Sequence, residues 1–117
     1  MNKMAVFRTF LIIIFLTLIS YTGLVISKFG INLFPIFFGD ILKFEWPGQF
    51  NLDFTFMLSL SCLWVLWRHR FSGIGIVLGI GAMFGGSLFL SIYLLIESIR
   101  VNGNIKALLL GDTRKDL

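Results

Sequence analysis

Hydrophobic and polar positions alternate along this chain in long blocks. One uncharged run covers residues 9–27, and a longer one covers 71–96. At ~1.5 Å per residue, an apolar helix of about 20 residues spans the ~30 Å hydrocarbon core of a bilayer. The pattern predicts three membrane-spanning helices, at about 6–27, 52–67 and 73–96.

The middle span is the shortest, because only 14 uncharged residues separate Asp53 from Arg68. Such a helix is ~21 Å long. The long side chain of Arg68 can extend to the membrane boundary, where Trp64 is also suited to lie. At the other end, Asn51 or Asp53 is placed to cap the helix and to complement its dipole.

The segment between the first two spans, residues 29–50, contains two prolines and three glycines. These residues interrupt a long helix. Within this segment, the pattern of residues 33–44 predicts a short amphipathic helix in the membrane interface, with Trp46 at headgroup depth. A re-entrant loop is the alternative, and it would need neighbours that satisfy its backbone.

Composition agrees with residence in a membrane. Hydrophobic residues make up 57% of the 117 residues, and charged residues make up 14%, against roughly 25% in soluble domains. A short chain cannot hide so much apolar surface from water, so the surplus must face lipid. We therefore predict an all-α, multi-pass membrane protein with one domain over 1–117, ending in a polar tail at 97–117.

The net charge of +4 arises from basic residues that flank the apolar runs. A nucleic-acid-binding protein would gather them on one soluble face, so the lipid bilayer is the predicted partner and nucleic acid is not. With three crossings, Lys3, Arg8, Arg68 and Arg70 share a side without acids. The positive-inside rule then favours a cytoplasmic N-terminus, with the 29–50 loop and the tail outside.

Glycine spacing marks the third span as a packing surface. Small residues let two helix backbones approach closely, through van der Waals contact and weak Cα–H···O bonds. The residues predicted to pack lie on one face of the helix, at i, i+4, i+7 and i+11: Gly75, Gly79, Ala82 and Gly86. Gly81 and Gly85 form a further pair of small residues on a neighbouring face. The helix that packs against this span belongs to the same chain, to a second copy, or to a larger membrane complex.

Polar and aromatic residues near the span ends are the candidate functional positions. Glu97 is an ionisable group near a membrane segment, although Arg100 three residues later explains it as an ordinary helix-surface pair. His69 lies between two arginines and is predicted to be a solvated loop residue. The candidates are Asp53, Trp64, Arg68, Tyr93 and Glu97.

No enzyme constellation emerges from the sequence. One histidine and one cysteine cannot build a zinc site, and Cys62 lies inside a span whereas His69 lies beyond its end. The glycines follow no strand, so they do not form a phosphate-binding loop. We predict no catalytic residues, no cofactor and no metal. The predicted role is a non-enzymatic accessory or packing component of the membrane, and the alternative is a small oligomeric transporter or channel protomer.

Four short motifs resemble those of a protein family. F-N-x-D-F begins at residue 50, W-x-x-W-R at 64, Y-L-L at 93 and L-L-L-G at 108. Over about 46–111 the chain resembles a group of small bacterial inner-membrane proteins of unknown function. The resemblance implies a bacterial inner-membrane location, and it adds weight to Asp53, Trp64, Arg68 and Tyr93.

Overall fold

The structure, a computed structural model, describes residues 3–112 and 114, and this part of the chain is helical without strands. Three of its helices, at residues 3–29, 46–68 and 73–100, are long and apolar enough to cross a membrane. The predicted all-α class and the three long apolar helices are therefore confirmed, as in a multi-pass membrane protein. The helices are α1 (Lys3–Phe29), α2 (Phe34–Leu42), α3 (Trp46–Arg68), α4 (Gly73–Arg100) and α5 (Ile105–Leu110).

Helix α3 begins earlier than the sequence pattern predicted. It starts at Trp46, with Pro47 in its first turn, where a missing backbone N–H costs no hydrogen bond. Its 23 residues give ~34 Å, so this helix is not short. The predicted cap at Asn51 or Asp53 is wrong, because both residues lie inside the helix. Asn51 instead donates its side-chain amide to the carbonyl of Phe37 in α2, at 3.1 Å.

Helix α2 confirms the predicted short helix in the 29–50 segment, and it lies directly against the start of α3. Gly48 is buried at this contact, where a Cβ atom would overlap the carbonyl oxygen of Asp40 and lie 2.9 Å from the Cα of Ile41. The absence of a side chain at Gly48 therefore lets the two helices meet. The exposed faces of α2 carry the rings of Phe34 and Phe38, which stack at 6.2 Å.

Helix α4 is interrupted at Gly86, whose backbone angles are φ 57° and ψ −141°. Only glycine occupies this conformation without strain. A Cβ atom there would also lie 3.1 Å from the ring of Phe54 and 3.4 Å from Leu58, both on α3. Two independent constraints thus require glycine at this position, and they divide α4 into a first arm (73–85) and a second arm (87–100).

The two arms run in opposite directions along α3. In the first arm, a Cβ atom at Gly79 would lie 3.1 Å from Leu66, near the end of α3, and the interruption itself faces Leu58, further up that helix. In the second arm, the Tyr93 hydroxyl is again at the end of α3, 3.0 Å from Arg68. Helix α4 therefore ascends α3, reverses at the interruption and descends again.

The second pair of small residues, Gly81 and Gly85, serves this reversal. A Cβ atom at Gly81 would lie 2.6 Å from the ring of Phe89, and one at Gly85 would overlap the Cβ of Phe89. In a straight helix, residues eight apart are ~12 Å distant along the axis. The pair therefore receives a side chain of the other arm, and not a neighbouring helix as its spacing had indicated.

Helix α1 packs against the rest of the described chain through its first part only. Met4 and Leu11 are buried, whereas residues 19–29 are all exposed. Its contact is with α4, and the contact of α3 with α4 is the more extensive one. The innermost hydrophobic cluster lies between α3 and the arms of α4, around the fully buried Val65 and Ala82 with Tyr93 beside them.

Candidate functional site

Polar side chains converge where the end of α3 meets the second arm of α4 and the helix α5. We call this group the Arg68 cluster. The side chain of Arg68 is 1% exposed and that of Glu97 is 8% exposed, so both charges are removed from solvent. The cluster consists of Arg68, His69, Tyr93, Glu97 and Arg100.

The guanidinium of Arg68 donates to four different residues. Its Nη1 donates to Glu97 Oε1 at 2.7 Å and to the Tyr93 hydroxyl at 3.0 Å. Its Nε donates to the carbonyl of Leu108 at 2.6 Å, and its Nη2 donates to the carbonyl of Ala107 at 3.2 Å. The planar fork of donors on arginine suits such a set of fixed acceptors, which lysine could not match.

Helix α5 supplies the two carbonyl groups near its C-terminal end, and that of Ala107 also accepts from the N–H of Gly111 at 2.9 Å. The last carbonyls of a helix lack partners within the helix and carry partial negative charge, so a cation is favourable there. Asn104 starts α5 by accepting from the N–H of Ala107 at 3.2 Å, after a turn with positive φ at Asn102 and Gly103. Part of the segment predicted as a polar tail is therefore a helix that packs onto Arg68.

Glu97 is shared between two arginines. Its Oε1 accepts from Arg68, and its Oε2 accepts from Arg100 Nε at 2.5 Å. Arg100 also contacts Asp112 at 2.9 Å. The predicted pair with Arg100 is present, but the interpretation of Glu97 as a surface residue is wrong, because a partner 29 positions away in sequence holds it in the interior.

His69 and Tyr93 form the outer part of the cluster. The ring nitrogen His69 Nε2 lies 2.6 Å from the Tyr93 hydroxyl. Because that hydroxyl accepts from Arg68, its own proton is free to point at a neutral imidazole. Burial, and then the charge of Arg68, hold the pKa of His69 below its ordinary value. His69 lies in the loop after α3, as predicted, but it is half-buried against Tyr93 and not fully solvated.

Trp64 joins the same end of α3. Its Nε1 donates to the carbonyl of Leu109 at 3.1 Å, and its ring meets that of Tyr93 edge-on at 6.2 Å. The structure thus brings together four of the five candidate residues, and it leaves Asp53 apart. Asp53 is exposed on α3, and no described residue forms a hydrogen bond or an ion pair with it.

A contact that sequence reasoning did not predict joins α1 to this region. Arg8 donates from Nε to the hydroxyl of Ser98 at 3.0 Å and from Nη2 to the carbonyl of Ser98 at 2.9 Å. The two residues are 90 positions apart, and Ser98 is fully buried. No sequence signal could have paired them, because Arg8 has the ordinary pattern of a charge at a span end.

The predicted packing residues all lie in the interior of the same chain, against α3 or the turn that follows it. A Cβ atom at Gly75 would lie 2.7 Å from that of His69, one at Gly79 would contact Leu66 and Cys62, and Ala82 is fully buried. This face is therefore occupied within the chain. All four predicted packing residues are buried in α4: Gly75, Gly79, Ala82 and Gly86.

An open pocket of about 370 Å³ borders the cluster, between Leu78 of the first arm and Ile96 of the second. Within the described residues no group of three His, Cys, Asp or Glu side chains could hold a metal ion, and no buried side-chain N or O atom lacks a hydrogen-bond partner. The chemistry that the cluster does offer is the joining of three helices by charged hydrogen bonds.

Comparison with family models, with curated proteins and with solved structures finds no match to this chain. The resemblance to small bacterial inner-membrane proteins therefore stays a prediction. Any functional assignment has to rest on the Arg68 cluster, on Asp53 and on the path of α4.

Proposed function

We propose that this protein is a non-enzymatic accessory component of a membrane, the bacterial inner membrane in particular, and that it packs through α3 against another membrane protein or a second copy of itself. The observation that carries the proposal is the exposed carboxylate of Asp53. Asp53 is an acidic group inside α3 for which no described residue provides a hydrogen bond or an ion pair.

Asp53 lies inside a membrane-spanning helix. It follows the start of α3 at Trp46 by seven residues, which is ~10 Å along the helix axis. An acidic side chain near the centre of a lipid-facing helix costs about 2.5–3.5 kcal/mol, and residues of this kind face a protein interior or a water-filled path. A partner that covers Asp53 would remove this cost, so we expect one on the same face of α3.

The Arg68 cluster supports a structural role for the other end of the molecule. Its charged groups are all engaged with one another or with backbone carbonyls. A catalytic site needs a group that is free to accept or donate a proton to a substrate. The N–H groups of Arg68 already donate to Glu97, Tyr93 and α5, so the cluster serves to hold helices together.

Photocrosslinking in native membranes tests the proposal. A photoreactive residue at Met57 lies one helical turn from Asp53 on the same face and is 57% exposed. Leu63 is the matched control, because it is 53% exposed on a different face of α3. We expect a defined protein adduct from position 57 and only lipid adducts from position 63, identified by mass spectrometry.

The Asp53→Asn variant completes this experiment. Loss of the carboxylate should weaken the protein adduct at position 57 while leaving the thermal stability of the isolated chain unchanged, since Asp53 makes no described contact. Lipid adducts alone at position 57 would contradict the proposal. A self-adduct would identify a homo-oligomer, and an adduct with another protein would identify a larger complex.

One observation favours the second candidate, a small oligomeric transporter or channel protomer. Helices interrupted at membrane depth line binding sites in many transporters, where the freed ends of half-helices meet the solute. The interruption at Gly86 fits that pattern, but the atoms nearest to it belong to the apolar Phe54 and Leu58. A solute flux in reconstituted liposomes that Gly86→Ala abolishes would favour this candidate.

A further inference from the structure

The ends of α3 and α4 lie together, and this has a consequence for membrane topology. If both helices crossed the bilayer one after the other, the end of α3 and the end of α4 would be separated by the ~30 Å hydrocarbon core. Instead, Arg68 at the end of α3 is 2.7 Å from Glu97 near the end of α4. The same arginine contacts Ala107 of α5 at 3.2 Å.

The arms of α4 are also too short to cross. The first arm (73–85) and the second arm (87–100) are each about 20 Å long at the rise of an α-helix, which is less than a hydrocarbon core. The reversal at Gly86 faces Leu58, which precedes Arg68 by ten residues, or ~15 Å of helix. The tip of the hairpin therefore lies within the membrane, with Gly86 buried against α3.

We infer that α4 is a re-entrant helical hairpin that enters and leaves the membrane on one side, so that only α1 and α3 cross. The segment after Arg100 then lies on the same side as the N-terminus. The beginning of α1 agrees with this arrangement, because Arg8 bonds Ser98 at 3.0 Å and Met4 lies beside Gly103. The inference does not depend on the proposed function.

Charge gives the orientation of the hairpin. Among the described side chains, the opposite end of the molecule has two basic residues, Lys28 and Lys43, with two acids, Asp40 and Glu45. Of the described acids, the end that holds the Arg68 cluster has Glu97 and Asp112. The positive-inside rule therefore assigns the cluster end to the cytoplasm. Its basic residues are Arg8, Arg68, Arg70, Arg100, Lys106 and Arg114.

The hairpin also changes where two exposed basic residues lie. Arg70 follows α3 and Lys106 belongs to α5, and both are exposed. Three crossings would place these two residues on opposite sides of the bilayer, whereas the hairpin places them on one surface.

Cysteine labelling of the full-length chain tests the topology. In a Cys62→Ala background, single cysteines replace Ile31 and Arg70, and a third is added after residue 117. A membrane-impermeant maleimide is applied to intact and to permeabilised cells. We expect the position-31 cysteine to react in intact cells, and the other two to react only after permeabilisation.

The position-70 and C-terminal cysteines decide the inference. Labelling from the same side supports the re-entrant hairpin, and labelling from opposite sides overturns it. If both react in intact cells while the position-31 cysteine is protected, the assignment of the cluster end to the cytoplasm is overturned. Thermal stability of each variant beside the Cys62→Ala parent shows that the fold is kept.

A crosslinking pair tests the hairpin directly. Leu78 and Ile96 border the same pocket, although they would lie ~27 Å apart in a straight helix. We expect Leu78→Cys/Ile96→Cys to form an intramolecular link with a short bis-maleimide. The matched control is Phe10→Cys/Lys28→Cys in α1, which has the same separation in sequence and should not link. Absence of the link at 78 and 96, with both cysteines labelled singly, overturns the hairpin.

Discussion

Helices α1 and α4 are nearly equal in length, with 27 and 28 residues, and both are apolar enough to cross a membrane. Their surroundings differ. Within the most apolar part of each helix, 6% of the α1 residues and 22% of the α4 residues are buried in the protein. Helix α1 continues without interruption, and α4 folds back on itself. Two segments that hydropathy makes equivalent thus follow different paths.

Glycine explains the difference. Helix α1 contains Gly23, and a Cβ atom there would meet nothing within 4 Å. In α4, Gly79 and Gly86 lie against α3, and Gly81 and Gly85 lie against Phe89 of the other arm. Small residues permit backbone approach that larger residues prevent. The positions of glycine, rather than mean hydropathy, therefore set the path of these two apolar helices.

The largest effect is expected from removing the charge that fixes α4. Arg68→Leu leaves Glu97 with one arginine partner, removes the side-chain donor to the carbonyl of Leu108, and leaves the carbonyl of Ala107 with the N–H of Gly111 alone. Removing one member of a buried ion pair typically costs about 3–5 kcal/mol. We therefore expect a large loss of thermal stability in detergent, followed by tryptophan fluorescence or calorimetry, and increased proteolysis after residue 100.

Two arginine controls accompany this variant. Arg70→Leu removes an exposed charge and should leave the melting temperature nearly unchanged. Arg8→Leu removes the bonds between α1 and Ser98, with an expected cost of about 1.5–3 kcal/mol for hydrogen bonds to a charged group. If Arg8→Leu destabilises the protein more than Arg68→Leu, then α1 and not α4 is the better-anchored helix.

Replacing one glycine by alanine in each helix tests whether glycine sets the path of α4. Gly86→Ala forces a Cβ atom into a strained backbone conformation and towards Phe54, and such strain costs about 1–3 kcal/mol. Gly23→Ala lies in an open helix position, where alanine is favoured by about 0.5–1 kcal/mol. Thermal denaturation of both variants should therefore show opposite signs. Equal effects would mean that the interruption at position 86 does not hold α4 in its bent path.

The smallest effect concerns pH and arises from His69, which precedes α4 and contacts Tyr93 of that helix, whereas α1 has no histidine. The folded state holds the pKa of His69 below its unfolded value of about 6.5, so the unfolded state binds the proton first as pH falls. The contribution of His69 to the free energy of unfolding should therefore be greatest above about pH 6.5. It should decrease as the pH is lowered from there through the pKa of the folded state. His69→Gln should flatten the thermal stability profile between about pH 7.5 and 5.5, and an unchanged profile would contradict this assignment.

Much of the fold follows from periodicity and hydropathy, because long apolar runs and Pro/Gly-rich segments act locally. The three long helices and the short α2 were predictable for that reason. The start of α3 was not, because Trp46 and Pro47 read equally well as loop residues. The reversal of α4 was not predictable either, since Gly86 has the same spacing as Gly75 and Gly79 but a different backbone conformation.

The candidate site was predicted in part. Trp64, Arg68, Tyr93 and Glu97 stood out because polar or aromatic residues near span ends are few. Their convergence on α5 could not be predicted, since it depends on backbone carbonyls of Ala107 and Leu108, which carry no sequence signature. The same applies to Ser98, whose partner Arg8 is 90 positions away.

The dependence of Arg68 on α5 has a consequence for biosynthesis. Arg68 ends α3, but its acceptors at Ala107 and Leu108 are translated 39 and 40 residues later. Chains fold from the N-terminus during synthesis, at about 5–20 residues per second. For a few seconds the nascent chain therefore carries an arginine without its final acceptors, held near the aqueous boundary. The bonds that fix the end of α3 can form only after the ribosome has passed α5, so that a helix translated early is held by residues translated late.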